Sequence, residues 1–175
     1  KENKLLYIYL HGFGNGVKKE INKQVYPFHK YYYDELNPGS PVGSLLFLSW
    51  PSQGFFQYKN GEIFDVSRMG ISLAVFFLKM FHFINEKENA LFRDWKPKVV
   101  FHAQSMGCRI VQAMVNRLNV LESENKIEKN ILHSFFERLI LTGADLGEHA
   151  LKDREEPHIH DIAKRVTLFH NKKDL

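Results

Sequence analysis

A serine stands where a buried strand is expected to turn sharply into a helix. The stretch VVFHAQSMGCRIV, residues 99–111, is apolar up to Ala103, passes through Ser105 and Gly107, and then continues with helical spacing. Small residues two positions before and after the serine suit such a turn, because larger side chains would collide with the adjoining chain. The turn exposes the hydroxyl, and the following helix directs N–H groups towards developing negative charge. The pattern therefore predicts nucleophilic attack on a carbonyl carbon by Ser105.

Two other interpretations of this stretch stay open. Ser105 can be an ordinary helix N-cap, whose hydroxyl accepts a hydrogen bond from the first helical turn. Cys108 is a rival nucleophile, but its position one turn inside the helix predicts inert packing.

The segment LHGFGNG, residues 10–16, supplies the second part of such a site. An oxyanion hole needs two backbone N–H donors, one directly after the nucleophile and one from the loop after an early strand. We expect Met106 to provide the first and Phe13 the second. Gly12 lets this loop approach the substrate closely, because glycine carries no side chain. His11 is expected to have a structural role at the strand end.

The same loop resembles the beginning of a dinucleotide-binding fingerprint, since Gly12 and Gly14 form a G-x-G after a strand. That fingerprint requires a third glycine where this chain has Val17, and an acidic residue at the end of the next strand. The next strand ends in SWPS, without an acid. The sequence therefore favours the oxyanion loop, and no organic cofactor is predicted.

Alternating strands and helices must position these groups. The strands are predicted at residues 4–10, 44–50, 98–103, 138–144 and 165–170, and shorter helices at 17–26, 107–118 and 127–136. A long apolar helix, capped by Asp65 or Ser67, is expected to end near Asn85. This order predicts an α/β protein with a mostly parallel sheet and helices on both faces, in three layers. Active sites of such sheets lie beyond the carboxyl ends of the strands, where Ser105 stands.

Composition narrows the class of protein. The 175 residues suffice for a single domain, and 44% hydrophobic with 25% charged residues is the balance of a folded soluble chain. The net charge is +4 with scattered lysines, so no nucleic-acid partner is predicted. The most apolar run, residues 69–84, contains Lys79 and His82 and falls short of the roughly 20 residues that cross a bilayer. We expect a buried helix and no stable membrane insertion.

A metal site is not predicted either. The segment HIHD places His158 and His160 on opposite sides of a helix, about 200° apart, so the two rings cannot share one ion.

Motifs along nearly the whole chain resemble those of a known family. YLHGFGNG, FLSWPSQG, HAQSMGCRIV, LTGADLGEHAL and RVTLFHNKKDL follow in this order. They are similar to the H-G-F, S-W-P-S, S-M-G and N-D-L segments of a mainly bacterial family of α/β-hydrolase proteins of unknown function. The resemblance implies an esterase-like serine hydrolase with Ser105 as nucleophile and Asp174 as triad acid, with Asp145 as the alternative acid. The chain differs from its relatives in having Gln104 for the usual histidine and Ala103 for the commoner glycine.

The general base is not evident in this chain. Triads of this fold run serine, acid, histidine, and none of the nine histidines follows Asp174. We therefore expect the domain of residues 1–175 to lack the C-terminal strand and the histidine loop. His102 is expected to point into the helix layer, and His170 to be packed at a strand end. His149, His158 and His160 are expected to face solvent.

Together these patterns predict hydrolysis of a small-molecule ester or thioester through an acyl-serine intermediate. An acyltransferase or peptidase with the same residues, and a non-catalytic binding module of the same fold, are the alternatives. Residues after the first and second strands are expected to line an apolar substrate pocket, with loop packing as the alternative for the aromatic ones. They are Gly12, Trp50, Phe55, Phe56 and Tyr58.

Overall fold

A computed structural model describes residues 5–12, 26–30, 42–50, 62–85, 97–129, 131–133, 135–144, 146 and 159–169. Its elements, in chain order, are β1 (Leu5–Leu10), α1 (Tyr26–His29), β2 (Val42–Leu48), α2 (Glu62–Asn85), β3 (Lys98–Gln104), α3 (Met106–Ser123), β4 (Phe136–Thr142), a 3-10 helix (Ile159–Ile162) and β5 (Val166–Phe169). This alternation confirms the α/β class.

The five strands form one sheet in the order β2-β1-β3-β4-β5, and every neighbouring pair is parallel. The parallel sheet predicted from the apolar, β-branched segments is therefore confirmed. In the register, Leu10 pairs with Ala103, and Gln104 pairs with Thr142. The residues that follow β1, β3 and β4 consequently meet at one edge of the sheet.

Helices α2 and α3 pack against each other and against one face of the sheet. Alternate strand residues such as Ile8 and Phe101 point to this face and are fully buried. Phe77 of α2 and Met114 of α3 are buried in the same core, as the helical spacing of apolar residues requires. The other face carries a smaller cluster that includes Tyr7 and Tyr9, Val100 and their neighbours. The helix predicted at residues 17–26 lies, except for its last residue, outside the described residues.

Helix α2 buries only one of its faces. Within the described residues, the stretch Val66–Asn85 alone has the length and hydropathy of a membrane span. Ala74 and Phe77 on its inner face are fully buried. Four large apolar residues on its outer face are 37–49% exposed: Ile71, Val75, Phe76 and Phe83. The predicted burial is thus confirmed for one face of the helix.

The helix predicted at residues 127–136 is not found. The described residues there form turns, in which the N–H groups of Phe135 and Phe136 both donate to Leu132 O. Phe136 then begins β4 and pairs with Val99. The apolar spacing matches a helix, but the last residue of the segment, Phe136, pairs with strand β3 instead.

Helix boundaries also differ from the prediction. Helix α2 begins at Glu62, so Asp65 and Ser67 lie inside it and not at its N-cap position. The helix predicted at residues 17–26 stops directly before Pro27, yet Pro27 lies at the second position of the short helix α1. Proline is tolerated in a first turn because its missing N–H would have no partner there.

Candidate active site

Ser105 occupies the turn between β3 and α3 in a backbone conformation that residues with side chains rarely adopt. Its φ is 49° and its ψ is −123°. Such a conformation costs about 1–3 kcal/mol and persists only where the surrounding structure determines it, which happens mostly at functional sites. The half-buried side chain makes no capping hydrogen bond to α3, which excludes the ordinary N-cap interpretation.

Two main-chain hydrogen bonds hold this turn, one on each side. The N–H of Ser105 donates to Thr142 O at 2.9 Å, which ties the turn to the end of β4. The carbonyl of Ser105 accepts from the N–H of Cys108 at 2.9 Å, which ties it to the first turn of α3. The strained residue is therefore fixed by the sheet and by the helix together.

Two glycines let the end of β1 contact the Ser105 turn. A Cβ atom at Gly12 would lie 2.8 Å from Ser105 Cβ and 3.4 Å from its Oγ. A Cβ atom at Gly107 would lie 2.9 Å from His11 O and 3.0 Å from Leu10 O. Carbon and oxygen atoms do not pack this closely, so both positions exclude a side chain. Residues 11 and 12, which follow β1, consequently lie directly beside the serine.

His11 anchors this loop and is fully buried. Its Nδ1 lies 2.6 Å from Gly12 O, and its Nε2 lies 3.2 Å from both Trp50 N and Ser49 Oγ. Because Nδ1 faces a carbonyl oxygen, it carries the ring hydrogen, and Nε2 accepts from the backbone N–H of Trp50. The ring is thus used on both sides to join the ends of β1 and β2, which is the structural role expected of it.

Trp50 completes the same anchor. Its indole Nε1–H donates to His11 O at 2.9 Å, and the two rings are stacked with their centroids 5.8 Å apart. The side chain is only 5% exposed. Trp50 therefore stabilises the loop that carries Gly12, and its contact with a substrate stays a prediction.

Met106 and Cys108 lie in the first turn of α3. Met106 is the first helical residue, so its N–H has no acceptor within the helix. Its role as an oxyanion donor stays a prediction. Cys108 is fully buried, and its Sγ contacts Ala103 O at 3.4 Å, in agreement with packing. The remaining predicted site residues lie outside the described residues: Phe13, Phe55, Phe56, Tyr58, Asp145 and Asp174.

Three further histidine side chains are described, those of His82, His102 and His133. His102 lies on the sheet face opposite α2 and α3, and burial lowers its pKa to about 4. His82 borders a cavity of about 950 Å³ near Glu122, in the last turn of α3. That turn is about 25 Å from Ser105 along the helix. His133 Nδ1 contacts Asp161 O at 2.7 Å.

The remaining histidines considered as bases are not described at the side-chain level. His149, His158 and His170 lie outside the described residues, and so does the side chain of His160. Among the described residues, no group of three or more His, Cys, Asp or Glu side chains could hold a metal ion.

Several partners in this arrangement are absent from the sequence prediction. Thr142 bonds Ser105 only because the β3–β4 register brings them together, and a sequence does not reveal a parallel register. A signal did exist for His102 and Gln104. Polar residues that alternate on an otherwise buried strand indicate partners on a neighbouring strand.

The strand order alone does not identify the function. Doubly wound nucleotide-binding proteins have the same order and also bind ligands after β1 and β3. No protein family, curated protein or solved structure matches this chain. The arguments for a function are therefore the strained backbone of Ser105 and the contact between Gly12 and the Ser105 side chain.

Proposed function

We propose that this protein is a serine hydrolase of the α/β-hydrolase type, which cleaves a carboxylic ester or thioester through an acyl-serine intermediate. The observation that carries the proposal is the backbone of Ser105, with φ 49° at the carboxyl end of the central strand β3. The contact with Gly12 supports it, because a glycine loop from the neighbouring strand is where the second oxyanion donor is expected. The fold that we propose with this function has helices on both faces of the sheet.

The reaction proceeds in two halves. Ser105 Oγ attacks the substrate carbonyl carbon while a general base removes the hydroxyl proton. The N–H groups of Met106 and Phe13 bind the resulting oxyanion, and its collapse expels the alcohol or thiol, which takes the proton from the base. Water then attacks the acyl-serine by the same route and releases the acid. Asp174, or Asp145 in its place, orients the base.

The strained turn is the physical reason for this assignment of roles. Ser105 Oγ makes no capping hydrogen bond to α3, and Met106 follows it directly as the first helical residue, whose N–H has no acceptor within the helix. A donor that is fixed before the reaction stabilises the oxyanion without reorganisation, and removing one such donor typically costs about 10²–10³ in rate.

The base is a histidine outside the described side chains. His11 is excluded because its Nε2 accepts the N–H of Trp50 and its Nδ1 faces Gly12 O. His102 is excluded because its ring nitrogens contact Tyr7 and Thr142. We expect the base on a segment that approaches Ser105 from the carboxyl ends of the strands.

The test is covalent labelling of the full-length protein with a fluorophosphonate probe. Ser105 Oγ should displace fluoride and form a bond to phosphorus, which tryptic mass spectrometry locates. Ser105→Ala should abolish the label. Ser123→Ala is the matched control, because Ser123 lies at the other end of the same helix and its hydroxyl donates to Val120 O; it should label as the wild type does.

A folded full-length protein that takes up no label at Ser105 would contradict the hydrolase proposal. That result would favour a non-catalytic binding module of the same fold. Labelling that survives in Ser105→Ala would assign the reactive residue elsewhere and would contradict the role of Ser105.

A further inference from the structure

Three polar side chains form a chain of hydrogen bonds across β1, β3 and β4. The Tyr7 hydroxyl lies 2.7 Å from His102 Nδ1, and His102 Nε2 lies 2.8 Å from Thr142 Oγ1. The residues Tyr7, His102 and Thr142 are called the His102 network below. It lies on the sheet face opposite α2 and α3, with the ring of Tyr9 edge-on to His102 at 5.0 Å between centroids.

The imidazole of His102 is satisfied in its neutral form. One ring nitrogen of a neutral histidine donates and the other accepts, while hydroxyl groups can do either. Tyr7 and Thr142 can therefore complete the chain with either tautomer. Burial favours the neutral ring and lowers its pKa to about 4.

Thr142 connects this network to the nucleophile. Its side chain contacts His102, and its main-chain oxygen accepts the N–H of Ser105 at 2.9 Å. Thr142 is the last residue of β4, and Gly143 after it turns to a φ of 52°. The peptide between these two residues is also held by β5, because the N–H of Gly143 donates to Phe169 O at 3.0 Å. The His102 contact restrains Thr142 through its side chain.

A second contact supports the same segment from β1. The Tyr9 hydroxyl donates to Oε1 of Gln104, the residue directly before Ser105. Two tyrosines of β1 thus bond the side chains of two alternate residues of β3, His102 and Gln104, which lead into the Ser105 turn.

We propose that His102 is a positioning residue, which fixes Thr142 so that the Thr142 carbonyl holds Ser105 in its reactive backbone conformation. The inference rests on the proposed function for its effect on reaction, since Ser105 must be the nucleophile. Its structural part concerns only the hydrogen bond between Ser105 N–H and Thr142 O. The two parts can be measured separately.

The decisive variants are Thr142→Val and Thr142→Ser in the full-length protein. Valine keeps the shape of threonine and removes Oγ1, whereas serine keeps the hydroxyl, so the pair separates the hydrogen bond from packing. Amide hydrogen exchange of Ser105 reports its bond to Thr142 O without any substrate. The second-order rate constant of fluorophosphonate labelling reports the reactivity of Ser105.

We expect Thr142→Val to accelerate exchange at Ser105 about tenfold and to slow labelling by a similar factor, the usual effect of losing one buried hydrogen bond. Thr142→Ser should restore both values to within about twofold of the wild type. Tyr7→Phe removes the other partner of His102, and it should change both values in the same direction. Combined with Thr142→Val, it should add less than its separate effect, because both substitutions act through one ring.

The outcomes separate the positioning role from the hydrolase proposal. Unchanged exchange at Ser105 in both Thr142→Val and Tyr7→Phe would overturn the positioning role. Faster exchange with wild-type labelling would overturn its effect on reactivity. If the wild type itself takes up no label, the hydrolase proposal fails, and with it the part of the inference that concerns reactivity. Exchange data alone then decide whether His102 holds the Ser105 backbone.

Discussion

The contact between Gly12 and Ser105 makes Gly12→Ala the most informative single substitution in this protein. The new methyl carbon would lie 2.8 Å from Ser105 Cβ and 3.2 Å from Gln104 O. Carbon atoms in contact normally lie about 3.5–4.0 Å apart, so the loop or the serine must move by about 1 Å. A displacement of about 1 Å in catalytic geometry costs on the order of 10² in rate. We therefore expect fluorophosphonate labelling of Ser105 to slow about 100-fold.

The same substitution overpacks the interior, so its effect on stability must be measured in parallel. We expect the free energy of unfolding to fall by about 1–3 kcal/mol in urea titrations followed by circular dichroism. Gly70→Ala is the matched control, because its Cβ would lie 2.5 Å from Ala113 Cβ in the contact between α2 and α3. It should lower stability by a comparable amount and leave the labelling rate of the folded protein unchanged.

Two results would refute this reasoning about Gly12. One is labelling of Gly12→Ala at the wild-type rate, which would mean that the loop moves and the nucleophile stays in place. The other is equal slowing in Gly70→Ala, which would attribute the loss of reactivity to general destabilisation.

Two further predictions concern the strain at Ser105 and the burial of His102. Ser105→Gly relieves the strain of the φ of 49°. We expect its free energy of unfolding to be about 1 kcal/mol higher than that of Ser105→Ala, because the relieved strain exceeds the entropy cost of glycine by about that amount. Equal free energies of unfolding in urea titrations would contradict the strain. Because the pKa of His102 is lowered from 6.5 to about 4, the unfolded chain binds this proton at higher pH than the folded protein. Above pH 6.5 the ring is neutral in both states, so the free energy of unfolding is not reduced by its protonation. As the pH falls towards 4, the free energy of unfolding decreases by about 3 kcal/mol. Urea titrations at pH 7, 5.5 and 4 should show a weaker pH dependence in His102→Gln, and identical dependences would exclude His102 as a cause.

The sequence alone predicts the positions of those elements whose signals are local. Each strand is a short apolar run bounded by polar or turn residues, so all five were predicted within about two residues of their observed ends. The strained turn followed from a serine between Ala103 and Gly107, since small residues at that spacing have a steric reason. The close approach of Gly107 to Leu10 O and His11 O supplies that reason.

Features that depend on tertiary contacts were missed. Helix α3 was predicted to end at Leu118, but it ends at Ser123. Asn125 follows its C-cap Glu124 in the left-handed conformation, with a φ of 55°. Leu132 and Phe136 have helical spacing, yet Phe136 pairs with β3. Which residue of β4 faces Ser105 depends on the parallel register, which no local pattern specifies.

The parallel arrangement also has a consequence for how this protein folds. Tyr7 and His102 are 95 positions apart in the chain, and Thr142 is another 40 positions further on. Pairings over such separations close large loops, so they form late and make folding slow. No local fragment can bring Gly12, Ser105 and Thr142 together. A reactive Ser105 would therefore mark chains that have completed their longest-range pairing.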